Sequence, residues 1–279
     1  MRKKGGWTSS STTKGGWTSS STRTLKVAAL LVVLLAGNVH AQDVKSLLAD
    51  ADIAAEQKFD NRRALELLKK AESLDPKNYN TLWRISRAWI DIAEHLPAQT
   101  DAQKDEQLKQ YQIALDYANR TIAANPNGMM GYLRRAIANG RIALFKGVFS
   151  AVGLVKDVKA DYEKALRIGG ESTQQIAVAH YVLARTHAKV CEKPYLVRLP
   201  LGLGWGDREV ADDHFGRAIS LNPDFIMFRL DAARNLIEMD EYTKARTHLG
   251  RIASLPTRDE DDDRFRREAA SLLESIKGE

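Results

Sequence analysis

One spacing governs what this chain can fold into. Four segments place a small or apolar residue, another four positions on, a third three further, and a helix breaker five beyond. They are Ala64, Leu68, Ala71, Pro76; Ala114, Ala118, Thr121, Pro126; Val158, Tyr162, Ala165, Gly170; and Ala211, Phe215, Ala218, Pro223. A fifth, Ala245, Leu249, Ile252, Pro256, is one residue shorter at its end. The first three positions mark one helical face. The Pro stops the helix because it lacks an amide donor and clashes with the preceding turn, and Gly170 does the same as a permissive C-terminal residue. Each segment follows another amphipathic stretch, such as Ala177–Lys189 with Val178, Tyr181, Leu183, Ala184 and Ala188. A helical pair repeated in this way buries its apolar face only against its neighbours.

The periodicity predicts five helical pairs: Val44–Lys58 with Asn61–Leu74, Tyr79–His95 with Glu106–Ala124, and Met129–Lys146 with Leu154–Ile168, then Thr173–Cys191 with Glu209–Leu221 and Phe225–Met239 with Tyr242–Ser254. Asp261–Ile276 closes the series with Phe265, Ala269, Leu272, Leu273 and Ile276 on its apolar face. The pairs resemble tetratricopeptide repeats. The fold class expected is all-α: a right-handed superhelical solenoid of about five such pairs plus a C-terminal capping helix, occupying residues 42–279. Long inserts, above all before Ala211, are expected to lengthen the bends between paired helices.

Residues 1–41 read as a secretory signal peptide. Arg2, Lys3, Lys4, Lys14, Arg23 and Lys26 precede the apolar run Val27–Gly37, and Val39-His40-Ala41 suits cleavage before Gln42. The run is too short to span a bilayer, which takes about 20 residues. The block KGGWTSSST at Lys4–Thr12 recurs at Lys14–Thr22 as a duplication within the leader. The whole chain has 42 basic and 36 acidic residues. Without the leader's six basic residues the two signs balance at 36 each, so the charge gives no support to nucleic-acid binding. Cys191 is the single cysteine, which excludes an internal disulfide. Export to the periplasm is expected, with a mitochondrial address as the alternative for a eukaryotic source.

Several short motifs resemble the regulators of microtubule dynamics and their bacterial relatives. These are Gly140-Arg141 with Phe145-Lys146-Gly147, Asp161-Tyr162-Glu163-Lys164-Ala165, Leu183-Ala184-Arg185, the insert before Ala211, and the Pro256…Asp259-Glu260-Asp261 ending. The resemblance covers roughly residues 45–277. It implies the repeat fold. Animal members are tied to microtubules and to mitochondrial or endoplasmic-reticulum membranes, and one is implicated in phospholipid binding.

Four first helices carry a small residue followed by Arg: Ser86-Arg87, Gly140-Arg141, Ala184-Arg185 and Ala233-Arg234. In such repeats the small residue packs against the paired helix and the next faces the concave side. Arg87, Arg141, Arg185 and Arg234 would then line a groove whose planar forks suit carboxylate or phosphate. Internal pairing is the competing reading, because Asp91 and Glu238 lie at i+4 from Arg87 and Arg234. Trp83, as a stacking surface, and Tyr181 are placed in the same groove, with Trp89 in the core. Leu201, Leu203 and Trp205 in the Gly-rich insert form either a lip over the groove or a loop tucked onto the solenoid. His180 and His187 share a helical face but lack further ligands, so no metal is expected. The acids at Asp259–Asp263 suit the start of a helix.

No nucleophile, base and orienting group come together in the sequence. The expectation is a non-enzymatic scaffold, without cofactor, that binds a protein or peptide in its concave groove. The alternative is a carrier of lipid or small anions that uses the arginine row for an anionic headgroup. No nucleic-acid partner and no transmembrane span are expected in the mature chain.

Overall fold

A computed structural model describes residues 41–146, 148–170 and 172–279. The leader expected at 1–41 lies outside these residues except for its last position. Among the described residues the structure is helical and contains no strand. Residues 41–56 are helical (α1). There follow α2 (Asn61–Leu74), α3 (Tyr79–Glu94), α4 (Asp101–Ala124), α5 (Met129–Ala143), α6 (Val148–Ile168), α7 (Thr173–Cys191), α8 (Tyr195–Arg198), α9 (Arg208–Leu221), α10 (Ile226–Ile237), α11 (Tyr242–Ile252) and α12 (Asp262–Ser275).

Local chemistry sets these boundaries. Asp60, Asn78, Thr100, Ser172 and Asp207 each accept a hydrogen bond from the first turn of the helix that follows, which satisfies amides that the helix itself cannot. α2, α4 and α9 stop at Leu74, Ala124 and Leu221, two residues before Pro76, Pro126 and Pro223. The residue between, Asp75, Asn125 or Asn222, leaves the helical region, as the ring of a following proline demands.

α4 starts at Asp101, earlier than the apolar pattern predicts, because Thr100 and Gln103 form a reciprocal capping box. The insert before α9 adds the short α8 instead of extending a bend.

Pairs α1/α2, α3/α4, α5/α6, α7/α9 and α10/α11 stack in order, with α12 against α10 and α11. Each small residue at the repeated offset is buried: Ala64, Ala71, Ala114, Ala118, Ala165, Ala211, Ala218 and Ala245. Ser86 also packs on its paired helix, and its hydroxyl donates to the Ala114 carbonyl at 2.8 Å. Gly140 behaves differently. A side chain there would meet nothing within 4 Å. In this pair Ala136, one turn earlier, fills the packed position beside Val158 and Tyr162.

The loop before α12 reaches back to the first two helical pairs. Asn61 donates to Glu260 at 3.1 Å. His95, just after α3, lies 3.2 Å from Glu260 and 3.6 Å from Asp261. The loop before α12 is held by Asp262, whose buried carboxylate accepts from the amides of Arg258 and Asp259 at 2.6 and 2.9 Å. No helix of the described residues is long and apolar enough to cross a membrane.

Candidate inner-face site

The first helices of successive pairs bring their charged residues together. On α3 the positions are Arg87, Asp91 and Glu94, at intervals of one turn and two. Arg134 and Arg141 occupy two turns of α5. Tyr181 and Arg185 project from α7, Asp231 and Arg234 from α10, and Glu268 from α12.

The four arginines of the row are all paired, and the acids come mainly from neighbouring first helices. Arg87 bonds Glu56 of α1 at 2.6 Å. Arg141 pairs with Glu94 of α3. Arg185 reaches Asp231 of α10 at 3.1 Å. Arg234 pairs with Asp231 on its own helix and with Glu268 of α12. The row is therefore a ladder of ties between repeats. Of the pairings suggested at i+4, Asp91 stays within electrostatic reach of Arg87, whereas Glu238 pairs with Arg208 at 2.9 Å and not with Arg234.

Tyr181 is buried. Its hydroxyl donates to Asp231 at 2.7 Å and its ring stacks on Phe228. Burial, together with the Asp231 charge and hydrogen bond, holds the phenol far above its ordinary value, so it stays neutral. Trp83 is 6% exposed and packs with Met129, Met130 and Leu133. The Arg84 guanidinium covers its ring at 4.1 Å from the centroid, so Trp83 supplies a floor beneath charged groups and no open stacking face. Trp89 is half-buried between two apolar clusters.

The insert divides. Leu203 is buried, Leu201 is half-buried, and Trp205 lies edge-on to His187 with ring centroids 5.1 Å apart. Arg198 donates to the Gly206 carbonyl at 2.6 Å, and a side chain at Gly206 would strike Val190 at 2.5 Å. This half is tucked onto the solenoid. The exposed apolar surface lies one step earlier, at Tyr195, Leu196, Val197 and Leu199.

His180 and His187 do not act together. His180 meets His214 at 2.8 Å between Nδ1 atoms. Burial and the neighbouring His214 push His180 down to about 4. Among the described residues no three His, Cys, Asp or Glu side chains are grouped to hold a metal ion.

Arg134 escaped the sequence argument, and Asp91 entered it only as a partner for Arg87. Arg134 has an Nε closed to solvent with no hydrogen-bond partner. Burial, then the like charge of Arg87, lowers its pKa to about 10. Asp91 is pushed up to about 6, mainly by burial. Projecting two turns back from Arg141 along α5 would have found Arg134; its lack of a partner has no sequence signature.

Stacked helical pairs with a charged inner face define a tetratricopeptide-like helical-repeat protein, a fold that typically mediates protein interactions and is typically non-enzymatic. The chain belongs to the regulator of microtubule dynamics family: the family model for regulator of microtubule dynamics protein 1-3 matches residues 47–277. It is 23% identical over 248 residues to regulator of microtubule dynamics protein 1 of Bos taurus, across 84% of this chain and 74% of that protein. Among solved structures it is similar in fold to a thermophilic tetratricopeptide-repeat protein of Thermus thermophilus. The TM-score is 0.60 and the identity 16%, covering 82% of this chain and 98% of that one.

Proposed function

We propose that the protein is an exported, non-enzymatic scaffold that holds a protein or peptide segment against its inner face. The observation that carries this reading is the composition of that face. Helices α1, α3, α5, α7, α10 and α12 present charged residues of both signs, most of them partly exposed, in a fixed ladder. Such a surface offers hydrogen bonds and charge complementarity to an extended polypeptide. A carrier of lipid chains needs a large apolar lining, and the groove positions around Tyr181 and Arg185 are charged instead. The basic, apolar and V-H-A order of residues 1–41 supports export to the periplasm.

Site-specific photo-crosslinking tests the scaffold. A photoreactive residue at position 94 on the inner face is expected to trap a discrete polypeptide in cells. The same probe at exposed position 109 on α4 serves as the outer-surface control. Equal labelling from both positions, or none from 94, would remove the inner face as the binding surface.

A further inference from the structure

Among the described residues, Arg134 stands beside the ladder without a carboxylate partner. Arg87, Arg141, Arg185 and Arg234 each have a carboxylate partner, and so do Arg84 and Arg135 on either side of the α3/α5 contact, with Asp52 and Asp161. Arg134 has none among the described residues, although it is poorly solvated and its Nε is sealed. Its pKa of about 10 still leaves it charged at neutral pH. Its Nε has lost water without gaining an acceptor, which costs stability, while the side chain as a whole stays half-buried. Arg84 and Arg87 add like charge beside it.

What surrounds Arg134 narrows the missing acceptor. The Trp83 ring lies 5.6 Å from the guanidinium. The buried Tyr162 of α6 lies within electrostatic reach. Asp91 on α3 is close enough to couple but makes no ion pair with it. The contacting helices α5 and α3 thus carry a donor fork, Arg134, and an acceptor, Asp91, within electrostatic reach of one another. Glu94 and Asp259 add negative charge around Asp91.

A phosphate dianion would meet this acidic side unfavourably and brings no donor for Asp91. A residue with a carboxylate side chain and a backbone N–H meets both requirements, the carboxylate on Arg134 and the amide on Asp91. Resting on the scaffold reading above, we propose that Arg134 is the docking point for a single Asp or Glu side chain of an extended peptide bound on the inner face, with Asp91 accepting from the peptide backbone.

The test pans the full-length protein against a displayed library of random peptides. Enriched peptides are then remade with each Asp or Glu replaced by Asn or Gln. Affinities are measured by fluorescence anisotropy for the wild type, Arg134→Gln and Arg134→Met, with thermal unfolding run on all three. One carboxylate in the peptide is expected to matter, its replacement weakening binding roughly ten- to hundredfold. Arg134→Gln should weaken the parent peptide equally and the amide peptide hardly at all. Both variants should melt at or above the wild-type temperature, because they remove an uncompensated charge.

Additive losses in that cycle, or full affinity in both variants, would overturn the proposal. So would failure of both variants to fold, which makes Arg134 structural. Arg134-dependent capture of phosphatidylglycerol vesicles, with peptide binding unaffected by the substitution, would overturn it in favour of a lipid. Enrichment of no peptide at all would instead strike the scaffold reading itself, and this proposal with it.

Discussion

Tyr181 on α7 donates its hydroxyl to Asp231 on α10 at 2.7 Å, and that carboxylate also receives Arg185 at 3.1 Å and pairs with Arg234. One acid of 8% exposure therefore gathers three side chains from two neighbouring helices of the inner face. Removing it in Asp231→Ala strands a buried phenol and the half-exposed Arg185 guanidinium, while Arg234 keeps Glu268. Loss of one partner of a buried pair costs about 3–5 kcal/mol, and the exposure of the two arginines places the expected loss at about 3 kcal/mol. Tyr181→Phe, which removes only one donor, should cost about 1–2 kcal/mol. Urea unfolding of the two variants measures both, and an Asp231→Ala loss no larger than that of Tyr181→Phe would refute the shared-acid argument.

The pairing of Arg141 with Glu94 changes what its substitution reports. An unpaired groove arginine could be removed without cost to folding. This one ties α5 to α3, and both side chains are about one-third exposed or less, at 26% and 30%. A double-mutant cycle with Arg141→Ala and Glu94→Ala should show a coupling of about 0.5–2 kcal/mol in unfolding free energy. Zero coupling would mean that the ladder is decoration on the helices and not a tie between repeats.

Two glycines on α5 should respond oppositely to alanine. At Gly131 a methyl group would lie 2.7 Å from the Ile122 side chain and 3.0 Å from its backbone nitrogen, because α5 crosses α4 there. The backbone of α4 cannot yield as a flexible side chain would, so Gly131→Ala should destabilise by about 1–3 kcal/mol. Gly140 faces open space, and Gly140→Ala should stabilise by about 0.5–1 kcal/mol through helix propensity alone. Thermal unfolding decides, and destabilisation at Gly140 would restore it as the packed residue of its pair.

These contrasts mark how far the sequence speaks. The repeated offset from Ala64 to Pro256 locates the ends of the second helices closely, because burial of small residues and a helix stop are local and periodic, but α4 and α6 start at Asp101 and Val148, ahead of the expected Glu106 and Leu154. The same logic misplaces the packed residue of the third pair at Gly140, since a glycine's lack of a side chain looks like close approach whether or not another helix is there. The arginine row is legible as a row, but its partners are not. Glu56, Glu94 and Glu268 come from other helices, set by the stacking of repeats; the i+4 spacing suggests Asp91 and Glu238, whereas the intrahelical partner the structure uses is Asp231, three residues before Arg234. Likewise, nothing local distinguishes Leu203, which tucks in, from Leu199, which stays exposed.

The junction of the loop before α12 with the first two helical pairs should respond to pH through His95. Burial opposes its charge, but the Asp91 carbonyl at 2.7 Å and the acids Glu260, Asp261 and Glu94 outweigh that, and the imidazole is held above its ordinary 6.5. A base with a raised folded value binds its proton more tightly in the folded state. Its contribution is fully present below 6.5 and is lost as pH rises through the folded value. The contacts to Glu260 and Asp261 should therefore loosen as pH rises above 6.5 through the folded value, while the solenoid's core is untouched. His180 works in the opposite sense: its value near 4 means that acid, not base, is costly there. Ring-carbon NMR titration should place His95 above 6.5 and His180 near 4. Amide hydrogen exchange at residues 258–262 should speed up as pH rises above 6.5 beyond the intrinsic rate change, and His95→Gln should abolish that excess. Exchange in that loop that simply follows the intrinsic rate, in both proteins, would show that the His95 contacts do not hold the loop in place.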